Sequence, residues 1–204
     1  MLQNRVDPWG ALHAVPDRGA WFGNRGCLHD DHGRIVRTHR GRRWITCLCA
    51  FRGRKRALLQ PGRYTELFFA DEATAYAAGH RPCAECRRAD WMMFRDLWGR
   101  VIGGATDADS IDRVLHAARL DGAQRRTMML CSDEVPDGVV GVPEPGKAVV
   151  RAHGAWWAWG FAGHEPIDAI RGNVTILTPW PIVRLMQAGL PVQTACRVAH
   201  EKPA

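Results

Sequence analysis

Cys83-Ala84-Glu85-Cys86 restricts this chain more than any other segment. Two thiols separated by two residues can both reach one tetrahedral Zn²⁺ in a knuckle turn. Pro82 stiffens the approach, and helical periodicity begins directly after the second cysteine, where a helix N-terminus offsets thiolate charge. A redox CxxC pair would instead follow a parallel strand in a βαβ unit. Here a short Ala-rich helix stopped by Gly79 precedes the pair, which favours zinc. A closed structural site needs two more donors, and upstream the candidates are Cys27, His29, His32, His39, Cys47 and Cys49. Cys47 and Cys49 fall on one face of a strand-like stretch, RWITCLCAF at 43–51, because strand side chains alternate. One of the two is expected to ligate and the other to pack as a small apolar residue. Cys131 and Cys196 stand alone and are expected in the core.

Charge is as uneven as the cysteines. Of 28 Lys and Arg in 204 residues, eleven lie between 25 and 63, opposed only by Asp30 and Asp31. That segment carries +9, whereas the remainder, with 17 basic and 19 acidic residues, carries −2. Ten of the eleven are Arg, whose planar fork matches phosphate oxygens. A general preference for Arg over Lys accounts for the residue type but not for the clustering. The segment is expected to form a polyanion-binding face with nucleic acid as partner. Its contacts are expected from Arg42 and Arg43 and from a hairpin tip bearing Arg52, Arg54, Lys55 and Arg56. No apolar run approaches the ~18 residues of a membrane span, and residues 1–19 lack the apolar stretch of a signal peptide. No membrane partner is therefore expected, and a cytoplasmic chain with reduced thiols is. Seven cysteines also fit a complete disulfide framework poorly.

The hydrophobic pattern divides the chain near Gly103-Gly104. Residues 1–24 show no clear period and read as an irregular arm. The 43–51 strand should return through the basic tip as a second strand over 57–69, with a turn at Pro61-Gly62. Asp71 is a good N-cap for the helix before Gly79. Trp91, Phe94, Leu97 and Trp98 recur at helical spacing on the helix after the knuckle. A further amphipathic helix is expected over 109–126 with Asp109 or Ser110 as N-cap, then strands at 148–161 and 174–177, and a helix at 181–188 ended by Gly189. Within HGAWWAWGFAGHEP (153–166), hairpin packing is preferred to a base-stacking platform, and His116 could join His153 or His164 in a site. The expected fold is α+β: a zinc-knuckle module with a β-hairpin and helices over 1–102, and a mixed α/β region of unassigned role over 103–204, either separate from the first or packed with it as one domain.

LFFADEATAYAAGHRPCAECRR (67–88) resembles the second half of the zinc-binding module of the Ada DNA-repair methyltransferase family in its strand, short helix, Arg-Pro and CxxC pair. Upstream, GNRGCLH (23–29) and Trp44-Ile45-Thr46-Cys47 are similar to the opening of small Ada-like modules. The resemblance spans roughly 23–88. It implies a zinc-stabilised, nucleic-acid-contacting module with His29, Cys47, Cys83 and Cys86 as ligands; an all-cysteine set with Cys49 or Cys27 replacing His29 is the rival. The chain departs from the family in having CLC at 47–49 where the repair domain has CxxxC, a longer spacer to Cys83, and no methyltransferase PCHR-like motif. The expected function is thus a zinc-binding protein that contacts nucleic acid. Two alternatives stand beside it: an enzyme using a zinc-bound thiolate as alkyl acceptor or a site in the C-terminal half, and a protein-interaction module with structural zinc. No Ser/His/Asp order, phosphate-binding Gly loop or HExxH helix is present.

Overall fold

Short strands dominate the N-terminal part of the chain. The computed structural model describes residues 1–54 and 57–196 and contains both helices and strands, as expected of an α+β fold. The first sheet contains β1 (Arg5–Val6), β2 (Leu12–His13), β3 (Trp21–Asn24), β4 (Ile45–Leu48), β5 (Leu67–Phe69) and β6 (Arg81–Pro82), in the order β2-β1-β5-β3-β4-β6. The arm at 1–24, expected to be irregular, therefore supplies three strands; two-residue strands are too short to show a period. The expected 43–69 hairpin is also replaced. β4 and β5 are not neighbours, because β3 lies between them, antiparallel to both. Among the described residues of 49–66 no return strand forms: Arg52 and Leu59 are left-handed (φ 50° and 51°), and turns close at Phe51–Arg54 and Gln60–Arg63. Gly23 makes the insertion of β3 possible, since a Cβ there would lie 2.5 Å from the Ile45 carbonyl oxygen.

Helix α1 (Glu72–Ala77) begins at Asp71, whose side chain accepts from the Thr74 N–H, and Gly79 (φ 88°) follows its end. Helix α2 (Arg88–Val101) buries Trp91, Phe94, Leu97 and Trp98, the face its spacing indicates. Helix α3 (Ala108–Arg119) starts earlier than expected, with Asp107 as N-cap in place of Asp109 or Ser110. It stops short of 126 because β7 (Leu120–Asp121) and β8 (Gln124–Arg125) turn back on each other through Gly122 (φ 57°). The second sheet comprises β9 (Met128–Cys131), β10 (Val140–Glu144), β11 (Lys147–Ala152), β12 (Ala155–Ala158), β13 (Glu165–Ile167) and β14 (Asn173–Ile176), in the order β13-β12-β11-β10-β14-β9. Helix α4 (Trp180–Gln187) follows and is ended near Gly189.

One hydrophobic cluster crosses the Gly103-Gly104 point. It joins Tyr76 and the α2 aromatics to Ile111 and Leu115 of α3, Val149, Val174 and Ile176 of the second sheet, and Ile182 and Leu185 of α4. Trp156 faces this cluster. Trp157 faces the opposite side, where Val140, Val150 and Leu177 meet Ala73 and Ala77 of α1. Both faces of β12 are thus covered, which accounts for two adjacent tryptophans through packing.

Candidate metal centre and basic surface

β4 and β6 pair in parallel, with Thr46 opposite Pro82, and the Cys83 N–H donates to the Thr46 carbonyl at 2.9 Å. This pairing carries the knuckle to Cys47 across a separation of 36 residues. The Sγ atoms of Cys47, Cys83 and Cys86 all lie within 4.8 Å of one another, so the three can hold a metal ion. Cys47 and Cys83 are buried beside Phe22, with Ile45 and Phe68 packed against them, and Cys86 is half-buried. The Glu85 N–H donates to Cys83 Sγ at 3.4 Å. A hydrogen bond from Cys47 and the backbone N–H groups of Cys86 and Glu85 hold the Cys83 thiol down to about 5. The same thiol-to-thiol hydrogen bond, then burial, pushes Cys47 up, and burial pushes Cys86 up. The trio therefore concentrates one negative charge on Cys83, and a divalent cation would displace protons from the other two.

The rim is polar. Glu85 of the knuckle is exposed and forms a two-pronged ion pair with Arg54. Beside it, a cleft of about 210 Å³ is lined by Phe22, Cys49, Arg54, Leu58, Glu66 and Phe68.

The structure does not bring His29 to the three thiols. It is buried elsewhere, with Nδ1 2.7 Å from Thr65 Oγ1 and Nε2 3.2 Å from the Gln60 carbonyl oxygen. The rivals are also apart from the cluster: Cys27 donates to the His29 carbonyl (3.5 Å), and Cys49 to the Ala20 carbonyl (3.3 Å). Among the described residues, the protein thus offers three grouped donors.

Arg42 and Arg43 are exposed, and Arg43 pairs with Asp109 at 2.9 Å. Arg52 and Arg54 are exposed, with their guanidinium carbons 5.0 and 5.3 Å from the Phe51 ring centroid. Lys55 and Arg56 lie outside the described residues. Arg25 corrects the expectation of a wholly surface cluster. It is buried, donates to the Gly10 carbonyl and lies over the Trp44 ring. His116 joins His39, with ring centroids 5.3 Å apart, and His164 instead bonds Asp71 at 2.7 Å. The Trp44 neighbourhood was not anticipated. Its only local sign is the buried stripe Ile111, Asp112, Leu115, Ala118 and Arg119, which places two charged residues on the inward face of α3.

Among the described residues no helix is long and apolar enough to cross a membrane. Comparison with family models, with curated proteins and with solved structures returns no match to this chain.

Proposed function

We propose that this chain is a zinc-binding protein that contacts nucleic acid through the Arg-rich surface of residues 25–63. The observation that carries the proposal is the grouping of Cys47, Cys83 and Cys86 within 4.8 Å. Three thiols with no carboxylate among them suit a soft-accepting ion, and zinc is the metal of such knuckles. Each residue has a distinct part. Cys47 ties β4 to the centre, and Cys83 and Cys86 tie the start of α2 to it. The Glu85 N–H supports thiolate charge on Cys83. Phe22 and Phe68 cover the apolar side of the site. Bound zinc would supply cross-linking between these elements, and the Ada-like order of parts over 67–88 supports the same assignment. The exposed guanidiniums of Arg42, Arg52 and their neighbours support a phosphate-contacting face, since such contacts give affinity and position more than sequence choice.

Metal analysis of the purified protein tests this. One zinc per chain is expected, and cobalt exchanged into the site should show thiolate-to-metal absorption. Cys83→Ser and Cys86→Ser should lose the metal and destabilise the first sheet, because structural zinc contributes on the order of 10 kcal/mol coupled to folding. His29→Ala should retain full stoichiometry, its ring being engaged with Thr65 and Gln60. Metal-free wild type that is folded, or unchanged zinc in both cysteine variants, would overturn the assignment.

A further inference from the structure

The Trp44 indole is the hub of a second cluster of charged groups, separate from the thiols. The Arg119 and Arg25 guanidinium carbons lie 4.3 and 5.0 Å from its ring centroid. His39, His80 and His116 surround the same indole, with ring centroids 5.3, 5.4 and 6.1 Å away. Arg25, Arg119 and His80 are 3%, 1% and 0% exposed. Neither buried guanidinium hydrogen-bonds a carboxylate. Arg25 donates to the Gly10 carbonyl at 2.7 Å, and Arg119 to the Leu115 and Arg42 carbonyls at 3.0 and 3.2 Å. The neighbouring carboxylates are already engaged: Asp112 holds both arms of Arg81, and Asp7 holds His13 and the Ala11 N–H.

Polar atoms are left over. Arg25 Nε and Arg119 Nη1 are enclosed donors that meet no acceptor among the described residues, and His116 Nδ1 is enclosed without a hydrogen-bond partner there. Neither ring nitrogen of His80 makes a well-formed hydrogen bond, although the Ala75 carbonyl gives its charged form some support. A buried charge without a counter-charge is costly, and an enclosed unpaired donor adds to that cost. A metal cation cannot relieve this, since guanidinium charge surrounds the imidazoles. An anion can. His39 and His116 are half-buried and lead from the hub toward exposed Arg42 and Arg43.

We propose that this cluster is an anion site that takes a phosphate-class oxyanion at the His39–His116 edge of Trp44, with Arg119 and Arg25 as the buried charges behind it. The site is distinct from the thiol cluster and does not require zinc. The oxyanion can be free phosphate or a phosphate group of nucleic acid. Protons are linked to its binding. Burial, then Arg25 and Arg119, hold His39 below the usual imidazole range; burial, then Arg119, His39 and Arg42, do the same to His116. Of the other charged groups packed there, Asp112 pairs with Arg81 and Asp109 with Arg43, whereas half-buried Arg125 donates only to the Trp9, Ala77 and Leu177 carbonyls among the described residues and adds to the positive field at Arg25 and Arg119. A bound oxyanion opposes the guanidinium field and favours the charged imidazoles, so an oxyanion of constant charge should take up protons on binding and bind more tightly as pH falls through the imidazole range.

Histidine-ring NMR of the zinc-loaded full chain, titrated with inorganic phosphate at constant ionic strength, tests the proposal. The His39 and His116 signals should shift saturably with phosphate and not with chloride. His116→Gln should weaken phosphate binding at pH 6.5 by at least about tenfold, the loss expected for one charge-assisted hydrogen bond. His39→Gln is the second variant should the first not fold. Short oligonucleotides with and without a 5′-phosphate separate the sources. Competition with phosphate by the oligonucleotides supports a nucleic-acid source, and a response to inorganic phosphate alone supports a free oxyanion. An equal response to chloride, non-saturable shifts, or undiminished affinity in both variants overturns the site. These outcomes are independent of zinc content and of nucleic-acid binding by the 52–56 loop, so failure here leaves the reading of those regions standing.

Discussion

His80 lies fully buried between Phe69 and Trp44, 4.7 and 5.4 Å from their ring centroids, with Arg25, Arg119 and Arg125 around it. Burial first, then these guanidiniums, push its imidazole well below 6.5. The sign of the consequence is fixed. An unfolded chain binds a proton on this ring as pH falls through 6.5, whereas the folded chain keeps it neutral, so stability is complete above that value and is lost below it. His80→Leu should therefore cost little at pH 7.5, where the ring makes no well-formed hydrogen bond, and should lose less stability than wild type on going to pH 5. Urea unfolding at both pH values checks this, and identical losses in the two proteins would remove His80 from the acid response. Nothing adjacent in the sequence announces such a residue. The knuckle cysteines were legible because their spacing carries their chemistry. His80, Arg25 and Arg119 were not, because their meaning comes from Trp44, which reaches them only through tertiary packing. His29 shows the same limit from the other side, since its partners Thr65 and Gln60 lie more than thirty residues away.

Helix α1 is too short to persist alone, and its N-terminus is fixed by distant residues. Asp71 is buried and accepts four hydrogen bonds: from the Thr74 N–H and hydroxyl at 2.8 and 2.5 Å, from His164 Nε2 at 2.7 Å, and from the Ala195 N–H at 2.9 Å. Gly160 donates to His164 Nδ1, which leaves the ring proton on Nε2 for Asp71. Glu72 and Gln193 add a reciprocal pair, the Gln193 N–H to the Glu72 carboxylate and the Glu72 N–H to the Gln193 carbonyl. Asp71→Ala should consequently cost about 2–4 kcal/mol, above the ~1 kcal/mol of a solvated N-cap, since His164 and two backbone donors lose their acceptor in the interior. Denaturant midpoints measure this, and a cost at the solvated-cap level would show that water replaces the carboxylate. At this scale the helices and β4 were readable, whereas the N-terminal strands and the order of the first sheet were not. Asp71 and Gly79 mark the limits of α1, aromatic spacing marks α2, and Gly189 marks the end of α4, signals that all lie within or beside the helices. β1, β2, β3 and β5 are two to four residues each and exist through partners elsewhere in the chain.

The asymmetry of charge belongs to the whole molecule. Arg34, Arg43 and Arg54 have carboxylate partners, whereas Arg42 and Arg52 are exposed without one among the described residues. Replacing Arg42, Arg52, Lys55 and Arg56 with Ser should weaken nucleic-acid binding across sequences and flatten the slope of log K against log salt by about two to four, at about 0.9 per phosphate contact on duplex DNA. Arg54 is kept because it holds Glu85 at the metal centre. An unchanged slope in a salt titration would place the contacts elsewhere. The α+β class was legible from the mixture of periods; packing of 1–102 with 103–204 was one of two alternatives the sequence left open, since no local pattern indicates which faces meet. The grip of residues 193–195 on the start of α1 has a temporal side. Synthesis proceeds from the N-terminus, and at roughly 5–20 residues per second the 121 positions between Glu72 and Gln193 take about 6–24 s to make. Throughout that interval Asp71 and Glu72 have their local partners, Thr74 and Arg87, but not those that residues 193–195 bring, so the start of α1 completes its hydrogen bonds only after that segment has been made.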